Sequence, residues 1–194
     1  APNKGSLMVS AELSPLASVN FENGPPQFNS IELGRVLDRA LRESGFIDFE
    51  KLCIKEGEKA WNVFVDVYAI NDDGNLLDAA GIGSIIALKN SKMPKYNEKE
   101  DKVEYKERSG RLPLSENIPV SITVRKIGNN FLVDPTIEEE DSSDARVTVG
   151  ISDGIVSSLQ KGDIEIFSIE EMERALDLAE KVSKDITKTI KKNI

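Results

Sequence analysis

The clearest pattern of hydrophobic and polar positions covers residues 29–44 and predicts one amphipathic helix. At about 100° per residue, one side of this helix is apolar. That side consists of Leu33, Val36, Leu37, Ala40 and Leu41. Asn29 is placed to cap the helix, with Glu32 three residues on as in a capping box, and Gly45 is placed to end it. The segment is therefore predicted to pack one face on a core and leave the other face in solvent.

The polar side of this predicted helix carries a row of three arginines. Arg35, Arg39 and Arg42 fall within an arc of about 60°. Such a row suits an anionic partner, but charged faces are commonly solvated and held by local ion pairs. The spacing allows three such pairs, which are Glu32–Arg35, Arg35–Asp38 and Arg39–Glu43. Both interpretations are open at this point.

The rest of the chain alternates between strand-like and helix-like patterns. Alternating apolar and polar positions predict strands over residues 5–12, 52–55, 61–70, 120–127, 131–133, 145–151, 154–159 and 163–167. Residues 52–55 and 61–70 are predicted to form a hairpin around Glu56-Gly57-Glu58. The strand at 61–70 is apolar on both faces at its centre, which predicts a strand covered on both sides. Residues 76–88 predict a buried helix, and Ser168 with Glu171 forms a capping box for a last helix.

This order of elements indicates an α+β protein with two parts. A charged segment at residues 89–111 reads as an exposed hairpin or loop, and prolines follow at Pro113 and Pro119. We therefore expect one domain over residues 1–112 and a second, smaller domain of a sheet and a helix over residues 119–194. The chain starts Ala-Pro-Asn-Lys-Gly, without methionine, so we expect the natural protein to begin earlier.

Composition excludes several kinds of chemistry. The 194 residues include no histidine, which removes Ser-His-Asp and Cys-His catalysis and histidine metal sites. The single Cys53 cannot form an internal disulfide, which favours the cytoplasm, and no apolar run is long enough to span a membrane. The net charge of −9 argues against a general nucleic-acid binder but leaves room for a local basic patch.

An acidic segment at residues 134–144 holds six carboxylates. Clustered carboxylates can bind Mg²⁺ or share protons, although such runs are more commonly solvated connections. We expect a connection here, and we expect neither a metal nor a cofactor in this chain.

Motifs in the first half are specific enough to resemble a known family. In order, the chain contains Pro15-Leu16-Ala17, Phe21-Glu22-x-Gly24-Pro25-Pro26, Ile31-Glu32-Leu33-x-Arg35-Val36-x-Asp38-Arg39-x-x-Arg42, Asp66-Val67-Tyr68 and Asp73-Gly74-Asn75-Leu76-x-Asp78-Ala79. Together they resemble the ribonuclease PH family, and within it the non-catalytic ribonuclease-PH-like subunit of the archaeal exosome. The similarity covers essentially the whole chain and is strongest between Pro15 and Leu88.

The resemblance implies a fold, partners and a role for the arginines. It implies a ribonuclease PH-like fold whose first domain has the ribosomal protein S5 domain 2-like core, here lacking its first strands. It also implies a ring of three heterodimers with a catalytic paralogue, RNA-binding cap proteins, and single-stranded RNA degraded from its 3′ end by phosphate. In this subunit type the arginines matching Arg35 and Arg39 face RNA, and Arg42 shares their face.

The resemblance also indicates that this chain is not itself catalytic. In catalytic members a Gly-x-Arg turn before the buried helix holds phosphate, whereas the matching turn here is Asp73-Gly74-Asn75. We read it as a degenerate phosphate site and assign no catalytic residue, although Asp144 lies near the position of an essential aspartate. Two alternatives remain open, namely that the chain is itself a phosphate-dependent 3′-to-5′ exoribonuclease, or that it is an unrelated α+β protein.

Overall fold

The computed structural model describes residues 2–193. The first half of the chain forms a parallel strand pair, two helices and two hairpins. In order these are β1 (Ser6–Leu13), α1 (Phe28–Glu43), β2 (Cys53–Lys55), β3 (Lys59–Ala60), β4 (Asn62–Ala69), α2 (Leu76–Asn90), β5 (Lys92–Asn97) and β6 (Lys102–Arg111). The second half is a sheet with two helices. Its elements are β7 (Pro119–Ile127), β8 (Asn130–Val133), α3 (Ile137–Asp141), β9 (Ala145–Ser152), β10 (Ile155–Gly162) and α4 (Ile169–Asn193).

The predicted amphipathic helix is α1, and it packs on β1. Its buried residues include all five predicted apolar positions, and Gly45 follows its end at a φ of +65°. The predicted cap is wrong, because the N-cap is Gln27 and makes no side-chain capping bond. Asn29 lies inside the helix, which the chain enters two residues earlier than the capping-box pattern indicated.

Strand β4 pairs in parallel with β1, and α1 connects the two. The sequence predicted this strand as part of a hairpin with residues 52–55, but β2 pairs instead with the short β3. The prediction of two covered faces is also wrong: Val63 and Val65 are buried, whereas Phe64 and Tyr68 are 61% and 64% exposed. Among residues 2–193, the β1–β4 sheet has two strands and one uncovered face.

The second half contains a four-stranded antiparallel sheet in the order β10-β9-β7-β8. Its central strands are buried on both faces by helices, and β7 shows which helix lies where. Thr123 contacts Asp78 of α2, whereas Lys126 contacts Glu171 of α4, and these strand positions point to opposite faces. The sheet is therefore a middle layer between α2 and α4, and buried residues of both halves form one hydrophobic cluster.

Three details of the second half differ from or refine the sequence prediction. Residues 163–167 form no strand, because Asp163 has a φ of +63° and turns the chain out of the sheet. The short helix α3 lies within the acidic segment and begins with a capping box of Thr136 and Glu139. Helix α4 has the predicted capping box, in which the Ser168 amide donates to Glu171 and the Glu171 amide donates to the Ser168 hydroxyl.

None of the helices within residues 2–193 combines the length and the low polarity that a membrane crossing requires.

Candidate functional site

All three predicted arginines are exposed on α1, but only two of them are largely free of contacts within the chain. Arg35 and Arg39 are exposed, and we call these two residues the arginine face. The side chain of Arg35 makes no hydrogen bond or ion pair with any other residue in the range 2–193. One Nη atom of Arg39 donates to Oε1 of Gln160 on β10 at 3.0 Å. Both guanidinium groups are thus presented at the surface, one unrestrained and one oriented by the edge strand of the sheet.

Arg42 shares the helix face but is engaged within the protein. Its Nε and Nη2 atoms donate to the two carboxylate oxygens of Asp38 at 3.0 and 2.6 Å. Nη2 also donates to the Leu7 carbonyl at 2.9 Å, and the guanidinium lies 6.0 Å from the centre of the Phe49 ring. These contacts attach the end of α1 to β1, so most of the hydrogen-bonding capacity of Arg42 is used internally.

The local ion pairs that offered an ordinary explanation for the arginines do not form. Asp38 pairs with Arg42 rather than Arg35, and Glu32 pairs with Arg146 of β9 rather than Arg35. Glu43 makes no ion pair with Arg39 in the described range. Two of these three carboxylates are therefore engaged away from the arginine face, Asp38 with Arg42 and Glu32 with Arg146.

An open groove of about 420 Å³ lies between α1 and β1, beside the arginine face. Its floor consists of small or apolar residues, and Arg35 and Arg39 stand among its lining residues. Helix and strand approach closely here, because a Cβ atom on Gly34 would lie 3.4 Å from the Val9 carbonyl oxygen. The groove therefore combines a mostly small and apolar surface with two cations, and Asp38 adds one carboxylate to its lining.

The turn of Asp73, Gly74 and Asn75 leads directly into α2, as the sequence predicted. Gly74 has a φ of +95°, and a Cβ there would lie 2.3 Å from the Pro135 carbonyl oxygen, so the turn is seated against the acidic segment. The Asn75 side-chain amide donates to Asp134 at 3.1 Å. The Asn75 backbone amide donates to Oε1 of Glu140 at 3.2 Å, so a carboxylate of this chain lies where the N-terminus of α2 attracts anions.

A cluster of buried charged residues lies next to this turn. Arg125 of β7 and Arg146 of β9 face each other in the sheet and are only 8% and 7% exposed. Arg125 pairs with Glu140 at 2.9 Å, and Arg146 pairs with Glu32 at 2.5 Å. Asp163 lies 3.7 Å from Arg125 and 3.6 Å from Arg146.

The apolar and polar pattern of the chain does not predict this cluster of charged residues. One feature of the sequence could have indicated it: each of two apolar strands contains a single arginine. A charged residue in a buried strand requires a partner of opposite charge. The partners come from α1, α3 and the segment after β10, and only the tertiary fold brings these together.

Asp78 is a buried carboxylate one turn into α2. It is 4% exposed and accepts hydrogen bonds from the Thr123 amide at 3.0 Å and the Thr123 hydroxyl at 2.7 Å. Burial raises the pKa of Asp78 to about 6, even though the Thr123 bonds act in the opposite direction. Asp78 thus joins α2 to the middle of the sheet.

Asp144 is held by the turn between β7 and β8. Its carboxylate accepts a hydrogen bond from the Gly128 amide at 2.7 Å. Over residues 2–193, no three histidine, cysteine, aspartate or glutamate side chains are grouped as a metal site would require.

Both halves of the chain match one family. Residues 1–94 match the 3′ exoribonuclease family, domain 1, and residues 117–182 match domain 2 of the same family. The chain belongs to the 3′ exoribonuclease, or ribonuclease PH, family. The family predicted from the motifs is therefore confirmed, and so is the α+β ribonuclease PH-like fold.

Similar proteins of known name are archaeal exosome components. The exosome complex component Rrp42 of Methanopyrus kandleri is 45% identical over 98% of this chain and 72% of its own length. The protein of the same name from Pyrococcus furiosus is 45% identical over 97% of this chain and 69% of its own length.

Chains in two solved exosome structures have a backbone fold similar to that of this chain. A chain of the Archaeoglobus fulgidus exosome with RNA bound to the active site superposes with a TM-score of 0.88 at 42% identity, covering 97% of this chain and 72% of that one. A chain of an archaeal exosome core superposes with a TM-score of 0.83 at 37% identity, covering 98% of this chain and 70% of that one.

Proposed function

We propose that this ribonuclease PH family chain is a non-catalytic subunit of an archaeal exosome ring that binds single-stranded RNA and completes the active site of a catalytic paralogue. The observation that carries the proposal is the arginine face: two exposed arginines on one helix, neither of which forms an ion pair with a carboxylate among residues 2–193. The family and the exosome relatives supply the ring and the RNA as the partners to be tested.

The chemistry of Arg35 and Arg39 fits RNA that is held without regard to sequence. Guanidinium groups grip phosphate oxygens through paired N–H donors and leave the bases unread. An enzyme that shortens RNA step by step needs this kind of contact, because every nucleotide of the strand passes the same side chains. Arg42 contributes mainly to holding α1 on β1, so we assign RNA contact to Arg35 and Arg39 first.

The non-catalytic half of the proposal is supported by the turn before α2. Asn75 stands where catalytic members, by the resemblance, carry an arginine, and the Asn75 amide is bound to Glu140. Asp73 and Asp134 add negative charge nearby. An incoming phosphate would meet like charge and an occupied amide, which opposes phosphorolysis in this chain.

The assembly is proposed along with the function. We propose three copies of this chain alternating with three catalytic paralogues, with cap proteins on the ring and the cytoplasm as the compartment. We also propose two structural units, residues 1–112 and 119–194, that meet in the shared hydrophobic cluster.

The test measures phosphate-dependent shortening of a 3′-unpaired RNA by three samples: this protein alone, the catalytic paralogue alone, and the two mixed. We expect RNA shortening only, or far more strongly, in the mixture, because neither chain has the complete active site when it is alone. Phosphate-dependent activity from this protein alone would instead make it an exoribonuclease. Failure to associate with the paralogue would favour an unrelated role.

A further inference from the structure

Buried polar atoms without partners are concentrated around the sheet arginines. Within residues 2–193, the buried side-chain nitrogen and oxygen atoms that have no hydrogen-bond partner are Nε of Arg125, one Nη of Arg146 and Oδ1 of Asn75. Such atoms are rare in folded proteins, because each one loses its interaction with water and gains nothing in return. Their position in one region of the fold points to a site with unused binding capacity.

Both arginines line a small cavity of about 220 Å³ at the beginning of α2. Leu76 and Leu77, the first residues of α2, line the same cavity, so the positive end of the helix dipole borders it. Two guanidinium groups that are more than nine-tenths buried, together with a helix N-terminus, form a strong attractor for an anion.

The anion that satisfies this attractor belongs to the chain itself. Oε1 of Glu140 accepts from the Asn75 amide at 3.2 Å and from Arg125 at 2.9 Å, so one carboxylate oxygen joins the helix end to the buried arginine. Helix α3 delivers this carboxylate, and Gly74 lets the chain before α3 approach the turn within contact distance.

We propose that the cavity between α2 and the sheet arginines is an anion site closed by Glu140, and that removing this carboxylate opens it to inorganic phosphate. The carboxylates of Glu32, Asp72, Glu140 and Asp163 line the cavity together with the two arginines, so a phosphate adds to an excess of two negative charges. Removing Glu140 halves this excess and frees its partners on Arg125 and at the Asn75 amide, where the helix dipole and the unpartnered Nε of Arg125 favour a tetrahedral oxyanion. This inference deepens the non-catalytic half of the proposed function and rests on it.

The test compares phosphate binding by the full chain and its variants, using isothermal titration calorimetry at constant ionic strength. Glu140→Gln keeps the side-chain size and removes the charge, and Glu140→Ala also opens space. Asp141→Asn is the matched control, because it removes one charge from the same helix at an exposed position. We expect both Glu140 variants to bind phosphate about tenfold more tightly than the wild type and the control.

A second substitution identifies the site. Adding Arg125→Gln to Glu140→Gln is expected to abolish the gain in phosphate affinity, and sulfate is expected to compete with phosphate whereas chloride is not. The proposal is wrong if the Glu140 variants bind no more tightly than the wild type, or if the gain survives the loss of Arg125. It is equally wrong if circular dichroism shows both Glu140 variants to be unfolded, because Glu140 then serves the fold alone.

These measurements use neither RNA nor a second subunit. Their failure therefore leaves the RNA-binding role of Arg35 and Arg39 standing. Conversely, if the RNA-binding proposal fails its test, the phosphate titrations still decide whether Glu140 closes the anion site.

Discussion

At the scale of single residues, Arg35 and Arg39 are alike in exposure but different in restraint. The Arg35 side chain has no partner among residues 2–193, so on the proposed contact with a phosphate it would lose rotamer freedom. Arg39 is already oriented by Gln160. It would therefore lose less freedom on binding but would have one hydrogen bond to exchange or share. The two proposed contacts thus differ in their cost, and we expect the loss of both arginines to weaken RNA binding more than the loss of either one.

Reversing both charges should weaken RNA binding without disturbing the fold. We expect Arg35→Glu combined with Arg39→Glu to reduce the RNA affinity of the assembled ring by about tenfold or more, because each substitution replaces a phosphate contact with repulsion. RNA degradation by the ring should fall in parallel, whereas the ring itself should still assemble. Filter binding, RNA shortening and size-exclusion chromatography measure these three properties.

Arg108 and Arg111 provide the control for this variant. Both are exposed on β6, three residues apart and outside α1, so Arg108→Glu with Arg111→Glu makes the same change in net charge elsewhere. We expect this control to bind and shorten RNA like the wild type. Equal losses in the two double variants would mean that RNA responds to overall charge, and unchanged degradation in the α1 variant would make the arginine face structural.

Arg42 shows where reasoning from helical spacing ends. The period of the helix correctly placed three arginines on one face, but it does not distinguish an unrestrained side chain from one that is hydrogen-bonded to Leu7 and Asp38. That distinction depends on which strand passes beneath the last turn. The same limitation hid the pairing of Glu32 with Arg146, whose two residues are 114 positions apart in the chain.

At the scale of elements, α2 combines an apolar surface with one buried carboxylate. Asp78 has a folded-state pKa of about 6 against an ordinary value of 3.8, because burial disfavours its charged form. The folded state thus binds a proton more tightly than the unfolded state does. Asp78 lowers stability progressively as the pH rises from about 4 to about 6, and the full difference of about 2 pKa units corresponds to about 3 kcal/mol.

Asp78→Asn should remove this pH dependence. Asparagine keeps an acceptor for the Thr123 amide, and its amide group can donate to the Thr123 hydroxyl, which remains free to bond Thr148. We expect the variant to gain stability relative to the wild type on going from pH 4 to pH 7.5, by up to about 3 kcal/mol. Urea unfolding of both proteins at the two pH values measures the difference.

Asp73→Asn is the control, since Asp73 is exposed in the turn before α2. Its free energy of unfolding should differ little from that of the wild type at either pH. Other carboxylates titrate equally in all three proteins and cancel in the comparison. A difference between Asp78→Asn and wild type that is the same at pH 4 and pH 7.5 would show that Asp78 does not titrate in this range.

Most elements could be predicted from periodicity, whereas their partners could not. Helices α1 and α4 and strands β7 to β10 follow regular apolar patterns, α2 is a continuous apolar run, and the structure contains all of them. Strand β4 was predicted but assigned to the wrong neighbour, because pairing depends on the crossover through α1 rather than on local pattern. The charged cluster of Arg125 and Arg146 was missed for the same reason, since strand register alone brings the two together.

At the scale of the whole molecule, an acidic protein is proposed to bind a polyanion. The net charge of −9 repels RNA at long range, so the arginine face acts only near contact, within the distance set by ionic screening. A ring would resolve this conflict if neighbouring subunits supply the positive field that draws RNA inward. The isolated chain should accordingly bind RNA weakly, whatever the quality of its local contacts.

The uncovered face of the β1–β4 sheet also affects how the isolated chain behaves in solution. Several large apolar side chains on or beside this face are at least half exposed; these are Met8, Phe64, Tyr68 and Ile70. The sheet also has only two strands among residues 2–193, so each strand presents an edge to solvent. Exposed edges and apolar faces promote association between chains.

We expect the isolated chain to self-associate through this sheet, increasingly at high salt, because screening weakens the repulsion between acidic copies. Sedimentation velocity over a range of protein and salt concentrations measures the effect. Phe64→Ser with Tyr68→Ser should reduce association by removing the two exposed rings, whereas Tyr105→Ser, at a 74% exposed position on β6, should not. A monomer at all concentrations would show that charge repulsion outweighs the uncovered sheet.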